Sequence, residues 1–216
     1  MVYVNSIHTV SFRKQRKIGS VSSGGVCIGR PVPQFVTMKK HDELLKNYRD
    51  LVSRIDILCA EIHRKYSESI TCRKGCDSCC RHFSVSWVEA VSLALAARSL
   101  SGEQLDFLRN HATSSANQDI CPLLVDGACI LYAHRPIICR THGLPILIRQ
   151  GTDMRVDYCP RNFTHTKTLS GSGIVDLDRL NETLAAVNLL FITRYFHGKE
   201  PPKERVSIVE ALMMEV

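Results

Sequence analysis

Apolar side chains recur at alternating spacings of three and four positions between residues 41 and 67. This periodicity predicts an amphipathic helix with one buried face. Cys59 lies beside Leu58 on that face, so we expect a buried and unreactive thiol there. The apolar positions of the predicted helix are Leu44, Tyr48, Leu51, Ile55, Leu58, Ile62 and Tyr66.

Two capping boxes predict the next two helices. A Ser-Trp-Val-Glu box at 86–89 precedes the apolar run VEAVSLALAARSL. A Ser-Gly-Glu-Gln box at 101–104 starts a shorter helix that is predicted to reach about His111. A polar connector then leads to residues 121–159.

Two runs of β-favouring residues flank the turn sequence Gln-Gly-Thr-Asp at 150–153, which predicts a small β-hairpin. The SGSG segment at 170–173 predicts a linker. Helical periodicity returns from Asp176 to about His197, and a last short helix carries apolar residues between 206 and 213. The pattern therefore predicts a mainly α fold (α+β) with one small β-hairpin.

The formal net charge of +7 is concentrated at the N-terminus. Residues 1–40 contain seven basic residues and no acidic residue, whereas the rest of the chain is balanced. We expect residues 1–38 to be a basic, disordered extension and residues 39–216 to be a single domain. Such an arm could contact nucleic acid or an anionic membrane surface, or remain a solvated tail.

No apolar run approaches the roughly 20 residues that span a bilayer. The N-terminus also lacks the sustained apolar stretch of a secretory signal. We therefore expect a soluble, cytoplasmic protein with no membrane span. In a reducing compartment, clustered cysteines favour metal binding over disulfides, which are the alternative.

Eight of the ten cysteines fall into two blocks of four. Four thiolates complete a zinc site or hold an iron–sulfur cluster, so we expect the helices to surround a cysteine-rich metal-binding core. The adjacent pair Cys79 and Cys80 is hard to direct to one small ion, which favours two centres or one multinuclear centre. The sequence leaves the partition open and sets Cys27 and Cys59 apart. The blocks are Cys72, Cys76, Cys79 and Cys80, then Cys121, Cys129, Cys139 and Cys159.

The two blocks together strongly resemble the cysteine-cluster family typified by bacterial YkgJ, a zinc- or iron-chelating family with a CxxxCxxCC signature. The resemblance covers about residues 70–160 and includes CRKGCDSCC at 72–80 and CPLLVDGACILYAHRPIICR at 121–140. It implies metal binding by the eight cysteines, with a [4Fe–4S] cluster or zinc as the cofactor. Flagellin lysine N-methylase carries a related cluster, which implies a methyl or other group transferase as an alternative.

Arg135, Arg140 and Tyr132 belong to the shared pattern and are the expected cofactor-binding neighbours of the cysteines. We expect the two arginines to donate hydrogen bonds to sulfur and to offset its charge, with surface salt bridges as the alternative. Tyr132 either closes the site from water or, as we favour, packs in the core. Three histidines near the cysteines could be ligands or titrating groups, although the number of cysteines favours a supporting position. They are His82, His134 and His142.

The sequence has no glycine-rich phosphate loop and no HExxH motif. The leading hypothesis is an intracellular metal-binding protein with an iron–sulfur centre, a [4Fe–4S] cluster built from the eight cysteines. Its role would be redox, metal handling or a modification reaction, with a protein or small molecule as partner. The alternative is a zinc-binding interaction module that contacts nucleic acid through the basic N-terminal arm.

Overall fold

The computed structural model describes residues 34–115, 119–166 and 168–216. Helix α1 spans Gln34–Lys65 and begins within the segment that the sequence predicted as an extension. The rest of that predicted extension, with Cys27, lies outside the described residues.

Most of the predicted apolar face of α1 is buried, and two positions are shifted by one residue. Leu45 and, as expected, Cys59 are buried, whereas the predicted positions Leu44 and Leu58 are partly buried and pack against the core. The burial of Cys59 confirms that it is a core residue, and this burial raises the pKa of its thiol to about 11. The buried apolar residues of α1 are Leu45, Tyr48, Leu51, Ile55, Cys59 and Ile62.

Helix α2, Trp87–Arg98, lies at the centre of the helical packing. It contacts α1, α3 (Gly102–Ser114), α5 (Leu177–Tyr195) and α6 (Ile208–Met213). Small side chains at many of its positions allow these neighbours to approach closely, so α2 is buried on nearly every side.

Both predicted capping boxes are present. Glu89 accepts hydrogen bonds from the backbone nitrogen of Ser86 at 3.1 Å and from its hydroxyl at 2.7 Å. Ser101 and Gln104 exchange backbone-to-side-chain bonds of 3.2 and 3.3 Å at the start of α3. Helix α3 continues to Ser114, beyond its predicted end, because its last turns pack Leu108 and Ala112 into the core.

The predicted hairpin is present as strands β4, Ile146–Gln150, and β5, Asp153–Asp157, which pair antiparallel around Gly151. The sequence predicted one β element, whereas the structure contains more. Strand β6, Val175–Asp176, pairs parallel with β4 and extends the hairpin to three strands.

Two further pairs of two-residue strands lie elsewhere in the described ranges. Strand β1, Ser84–Val85, pairs with β7, Val206–Ser207, and joins the start of α2 to the start of α6. Strand β2, Leu124–Val125, pairs with β3, Ala128–Cys129. Asp126 and Gly127 form the tight turn between β2 and β3 with φ of 49° and 70°. An Asp-Gly pair is a strong hairpin signal that the sequence prediction had not used.

The SGSG segment is a packed turn rather than the predicted linker. Residues Gly171–Gly173 form a short 3-10 turn against the end of α1. The Tyr66 hydroxyl accepts a hydrogen bond from Ser170 N at 3.0 Å, and Lys65 donates to Ser172 at 2.9 Å. The Tyr66 ring also packs edge-on against Phe163 at 5.5 Å. This turn therefore ties the end of α1 to the start of α5.

The fold is mainly α with some β, as the sequence predicted. Its helices bury one continuous apolar core, and the two cysteine-bearing regions are loops and short elements beside that core. In the parts of the chain that the structure describes, no helix combines the length and the apolar character needed to cross a membrane.

Gly173→Ala is expected to lower the free energy of unfolding by about 1–3 kcal/mol. A Cβ at Gly173 would clash with Cε2 of the Tyr66 ring, which its own contacts hold in place. Gly171→Ala is the control, since a Cβ there meets nothing within 4 Å. Chemical denaturation measures both changes, and equal effects of the two substitutions would contradict the packing of this turn.

Candidate metal centre

The first cysteine block lies on the loop between α1 and α2. Two successive turns shape it, since Cys76 N donates to Arg73 O at 2.9 Å and Cys80 N donates to Asp77 O at 2.8 Å. Gly75 adopts a φ of +88° in the first turn, a conformation that side-chain-bearing residues rarely take. These turns bring four sulfur atoms into one short loop.

Backbone hydrogen bonds join this loop to the second cysteine block. Cys121 N donates to Cys80 O at 3.1 Å, and His82 N donates to Asp119 O at 2.9 Å. Gly75 N donates to Gly127 O, in the turn between β2 and β3, at 3.2 Å. Backbone hydrogen bonds therefore hold the two blocks side by side.

Cys139 lies on the short helix α4, Ile137–Thr141, whose start is fixed by Glu89. The Glu89 carboxylate is only 3% exposed. Its Oε1 accepts from Ile137 N at 3.1 Å, while Oε2 accepts the two bonds from Ser86. One buried carboxylate thus caps α2 and positions the helix that carries Cys139. Glu89 was singled out in the sequence only as part of a capping box.

Cys159 follows β5 and is held next to the first block by Asn162, a residue that sequence reasoning missed. Asn162 is 1% exposed. Its backbone nitrogen donates to Cys159 O at 2.8 Å. Its side chain accepts from Thr71 N at 2.9 Å and donates to Cys72 Sγ at 3.3 Å. A buried asparagine three residues after a cysteine is an identifiable turn signal, but its partners are distant in sequence.

The sulfur atoms interact electrostatically in two groups, which are linked by the hydrogen-bonded pair Cys79 and Cys80. Negative charge on Cys159, Cys76 and Cys79 acts on Cys72. Charge on Cys121, Cys139 and Cys129 acts on Cys80. We call these groups the first and second sulfur sets. The first set is Cys72, Cys76, Cys79 and Cys159, and the second is Cys80, Cys121, Cys129 and Cys139.

Burial and mutual repulsion shift the pKa values of these thiols. Burial raises the pKa of Cys121 to about 11. Burial, and then the charges of Cys121 and Cys129, raises the pKa of Cys139 well above its usual range. Hydrogen bonding between the Cys79 and Cys80 sulfurs raises the pKa of Cys79 and lowers that of Cys80. Clustered thiolates of this kind are stable when a bound cation neutralises them.

The nine cysteines that the structure describes are free. Among the described residues, no three cysteine, histidine or carboxylate side chains already stand as a complete ligand group for one ion. Side-chain rotations are therefore needed to close either sulfur set on a metal. The donor chemistry fits zinc or iron–sulfur iron, since both take sets of four thiolates.

Arg140 does not donate to sulfur as predicted. It donates to both carboxylate oxygens of Asp56 at 2.7 Å. It also donates to the carbonyls of Ala133 at 2.6 Å and Arg135 at 2.8 Å. These bonds use its fork of N–H donors, so Arg140 braces α4 against α1. Cys59 adds to the same contact by donating to Arg140 O at 3.5 Å.

Tyr132 is not packed in the core, because it is 62% exposed. The guanidinium of Arg135 lies over its ring at 3.6 Å, and this cation–π contact keeps both side chains at the surface. Burial raises the pKa of Cys129 and of Cys139, and the positive charge of Arg135 opposes that rise at both. The positive charge of Arg135 therefore partly offsets negative charge on the sulfur atoms of Cys129 and Cys139.

The three candidate histidines lie in different environments. His134 is exposed. Burial, and then the charge of Arg135, lowers the pKa of His142. Nε2 of His82 is buried and has no hydrogen-bond partner among the described residues. None of the three joins a ligand group of three or more described side chains.

Glu89→Ala is expected to lower the free energy of unfolding by about 2–4 kcal/mol, because buried donors of Ser86 and Ile137 lose their acceptor. Glu103→Ala is the control. Glu103 is an exposed carboxylate in the first turn of α3, and its loss should cost less than about 1 kcal/mol. Urea denaturation measures both variants, and a Glu89→Ala effect as small as that of the control would contradict the double-capping role.

Residues 71–160 match the family model CxxCxxCC, described as "Putative zinc- or iron-chelating domain". No curated protein and no solved structure matches this chain. The matched range contains both cysteine blocks and both sulfur sets. The match bears out the resemblance seen in the sequence and agrees with either zinc or iron as the bound metal, so residues 71–160 of this chain are similar to the CxxCxxCC zinc- or iron-chelating domain.

Proposed function

We propose that this chain binds iron as a [4Fe–4S] centre through the cysteines of residues 71–160, and that the bound centre serves redox chemistry, metal handling or a modification reaction. Free thiols of this kind persist in reducing compartments such as the cytoplasm. The proposed ligands are Cys72, Cys76, Cys79, Cys80, Cys121, Cys129, Cys139 and Cys159.

The observation that carries the choice of iron–sulfur is the composition of the first sulfur set. Three of its members, Cys72, Cys76 and Cys79, lie on one tight loop, and the fourth, Cys159, comes from a distant part of the chain. Closely spaced cysteines completed by a remote one are typical of [4Fe–4S] proteins. Structural zinc sites more often take cysteines as separated pairs.

Hydrogen-bond donors around the sulfur atoms also support an iron–sulfur centre. Asn162 donates to Cys72 Sγ at 3.3 Å, and the Arg161 guanidinium donates to Cys76 Sγ at 3.7 Å. Backbone hydrogen bonds at Leu123 and Leu131 lower the pKa values of Cys121 and Cys129, against the larger effect of burial. Such donors stabilise negative sulfur and tune the reduction potential of a cluster.

A bound cluster supplies one-electron transfer, and the residues of this chain control its surroundings. The sulfur atoms of Cys121 and Cys139 are largely covered, whereas Cys72 is exposed at the surface. Electrons or a substrate would therefore approach from the side of the first sulfur set. Arg161 is exposed on the same side and contributes positive charge there.

Zinc is the second candidate, and the equal division of the cysteines favours it. Each sulfur set contains four thiols, the number that completes a tetrahedral zinc site. In that case the domain would be a structural or interaction module, and the basic N-terminal segment would be its means of contacting nucleic acid.

Anaerobic purification followed by iron, zinc and acid-labile sulfide analysis tests this proposal. We expect iron and sulfide in equal amounts and a broad absorbance at about 400 nm. Zinc without iron or sulfide would contradict the iron–sulfur assignment and support the zinc module.

Cys76→Ala and Cys59→Ala form a matched pair for the same assay. Cys76 lies in the first sulfur set, so its loss should reduce the bound iron, whereas the core residue Cys59 should be replaceable without loss of metal. Circular dichroism confirms that both variants are folded. Full metal content in folded Cys76→Ala would contradict its role as a ligand.

A further inference from the structure

We propose that Nε2 of His82 donates a hydrogen bond to the metal-bound sulfur atoms of Cys80 and Cys121, which share its side of a short β-bridge. This inference rests on the proposed metal-binding function and assigns a role to a residue outside the eight proposed ligands. His82 is a positioning residue in this role, because it acts on the metal through sulfur rather than by touching the ion.

Residues 80–82 and 119–121 form a short antiparallel bridge that joins the two cysteine blocks, with Arg81 and Ile120 paired at its centre. A backbone hydrogen bond lies on each side of this central pair, which is the pattern around a non-hydrogen-bonded pair in an antiparallel ladder. The two bonds run from Cys121 N to Cys80 O at 3.1 Å and from His82 N to Asp119 O at 2.9 Å. The register of the two segments is therefore fixed.

The side chains of the bridge alternate between its two faces. Successive residues of an extended segment point to opposite sides, and directly paired residues share a side. Arg81 and Ile120 therefore lie on one face, and both are exposed. Cys80, His82 and Cys121 lie on the other face, where Cys121 is buried and Cys80 is partly buried. The burial pattern agrees with the register and places the His82 ring on the same face as two proposed ligands.

The His82 ring supplies a second, independent observation. Its Nε2 is buried and makes no hydrogen bond to the described residues. Burying a polar atom without a partner costs free energy, and the great majority of buried polar atoms in proteins are paired. The unpaired nitrogen therefore points to a partner that is present when the metal centre is loaded.

Metal-bound sulfur is the partner that this face of the bridge supplies. A thiolate that binds a metal keeps negative charge and accepts hydrogen bonds. Asp119 shares the face but is exposed, so its carboxylate is on the solvent side. A neutral imidazole has one N–H donor, and eight cysteines already supply enough ligands without nitrogen. His82 therefore donates to sulfur rather than binding the ion through its lone pair.

Such a hydrogen bond affects the metal in two ways. It holds the sulfur ligand in one orientation and withdraws negative charge from it, which raises the reduction potential of an iron–sulfur cluster. Removing an outer partner of this kind typically lowers metal affinity by about 10- to 100-fold. Metal affinity is therefore the quantity on which a substitution of His82 should act most directly.

His82→Phe and His82→Gln test the proposal in the full-length chain. Phe keeps a ring but has no N–H, whereas Gln carries an amide N–H at a similar distance from the backbone. We expect His82→Phe to lower the affinity for added Zn²⁺ by about 10- to 100-fold, measured by competition with a chromophoric chelator, and His82→Gln to keep most of it. His134→Phe is the control, because His134 is exposed, and it should bind Zn²⁺ as tightly as wild type.

The metal-free chain separates this role from ordinary packing. Phe at position 82 leaves no unpaired nitrogen buried, so His82→Phe should keep or raise the free energy of unfolding of the metal-free chain. Urea denaturation measures this change. A less stable metal-free His82→Phe chain would show that the ring serves packing and would overturn the proposal. A folded His82→Phe chain that binds Zn²⁺ as tightly as wild type would also overturn it, while leaving metal binding intact.

X-ray absorption at the zinc edge separates hydrogen bonding from ligation. We expect the same shell of sulfur neighbours at about 2.3 Å in wild type and in His82→Phe. A nitrogen ligand at about 2.0 Å that is present in wild type and missing from His82→Phe would show that His82 binds the metal itself, and would overturn the proposal. A wild-type chain that binds neither zinc nor iron would instead overturn the proposed function, and this inference with it.

Discussion

Electrostatic repulsion among clustered sulfur atoms is the constraint on which the cysteine-rich half of this structure depends. Eight thiols are gathered into two sets, and burial together with neighbouring thiolates raises the pKa of most of them. Without a cation such a cluster can only hold its protons. A bound metal favours the deprotonated thiolates instead, because its charge offsets the cost of removing them from water. The fold around residues 71–160 holds these mutually repelling sulfur atoms close together.

The scaffold meets this constraint with hydrogen bonds that do not involve sulfur. Glu89 caps both α2 and α4, and Asn162 ties the segment after Cys159 to the loop that carries Cys72. Arg140 braces α4 against α1 through Asp56. Because these contacts are satisfied by the protein alone, the cysteine-bearing segments lie close together before any metal binds. Metal binding then has to order side chains rather than the whole chain.

Local signals in the sequence were enough to predict the helices and the larger hairpin. The capping boxes at Ser86 and Ser101 and the periodicity of α1 each depend on residues within a few positions of one another, and each was confirmed. The packed turn at Gly171–Gly173 could not be foreseen, because its composition is that of a linker and only the distant Tyr66 ring makes it ordered. The β2–β3 hairpin had a local signal in Asp126-Gly127 that the prediction did not use.

The candidate site shows the same division between local and distant information. Cysteine spacing and the family resemblance identified the metal-binding segment, and the family model confirms that segment. The roles of Glu89 and Asn162 depend on partners 48 and 91 positions away, respectively, so no spacing rule reveals them. Arg140 and Tyr132 lie near cysteines in sequence, and this proximity suggested contacts with sulfur or the core. In the structure Arg140 instead binds Asp56, and Tyr132 packs against Arg135.

X-ray absorption spectroscopy of the metal-loaded chain, at the iron and zinc edges, measures the ligand shell directly. Coordination by the two sulfur sets predicts a shell of four sulfur atoms at about 2.3 Å around the bound metal, with iron-to-iron scattering in addition if a cluster is present. A shell dominated by nitrogen or oxygen atoms would show that histidines or carboxylates hold the metal, and would contradict the cysteine-based centres.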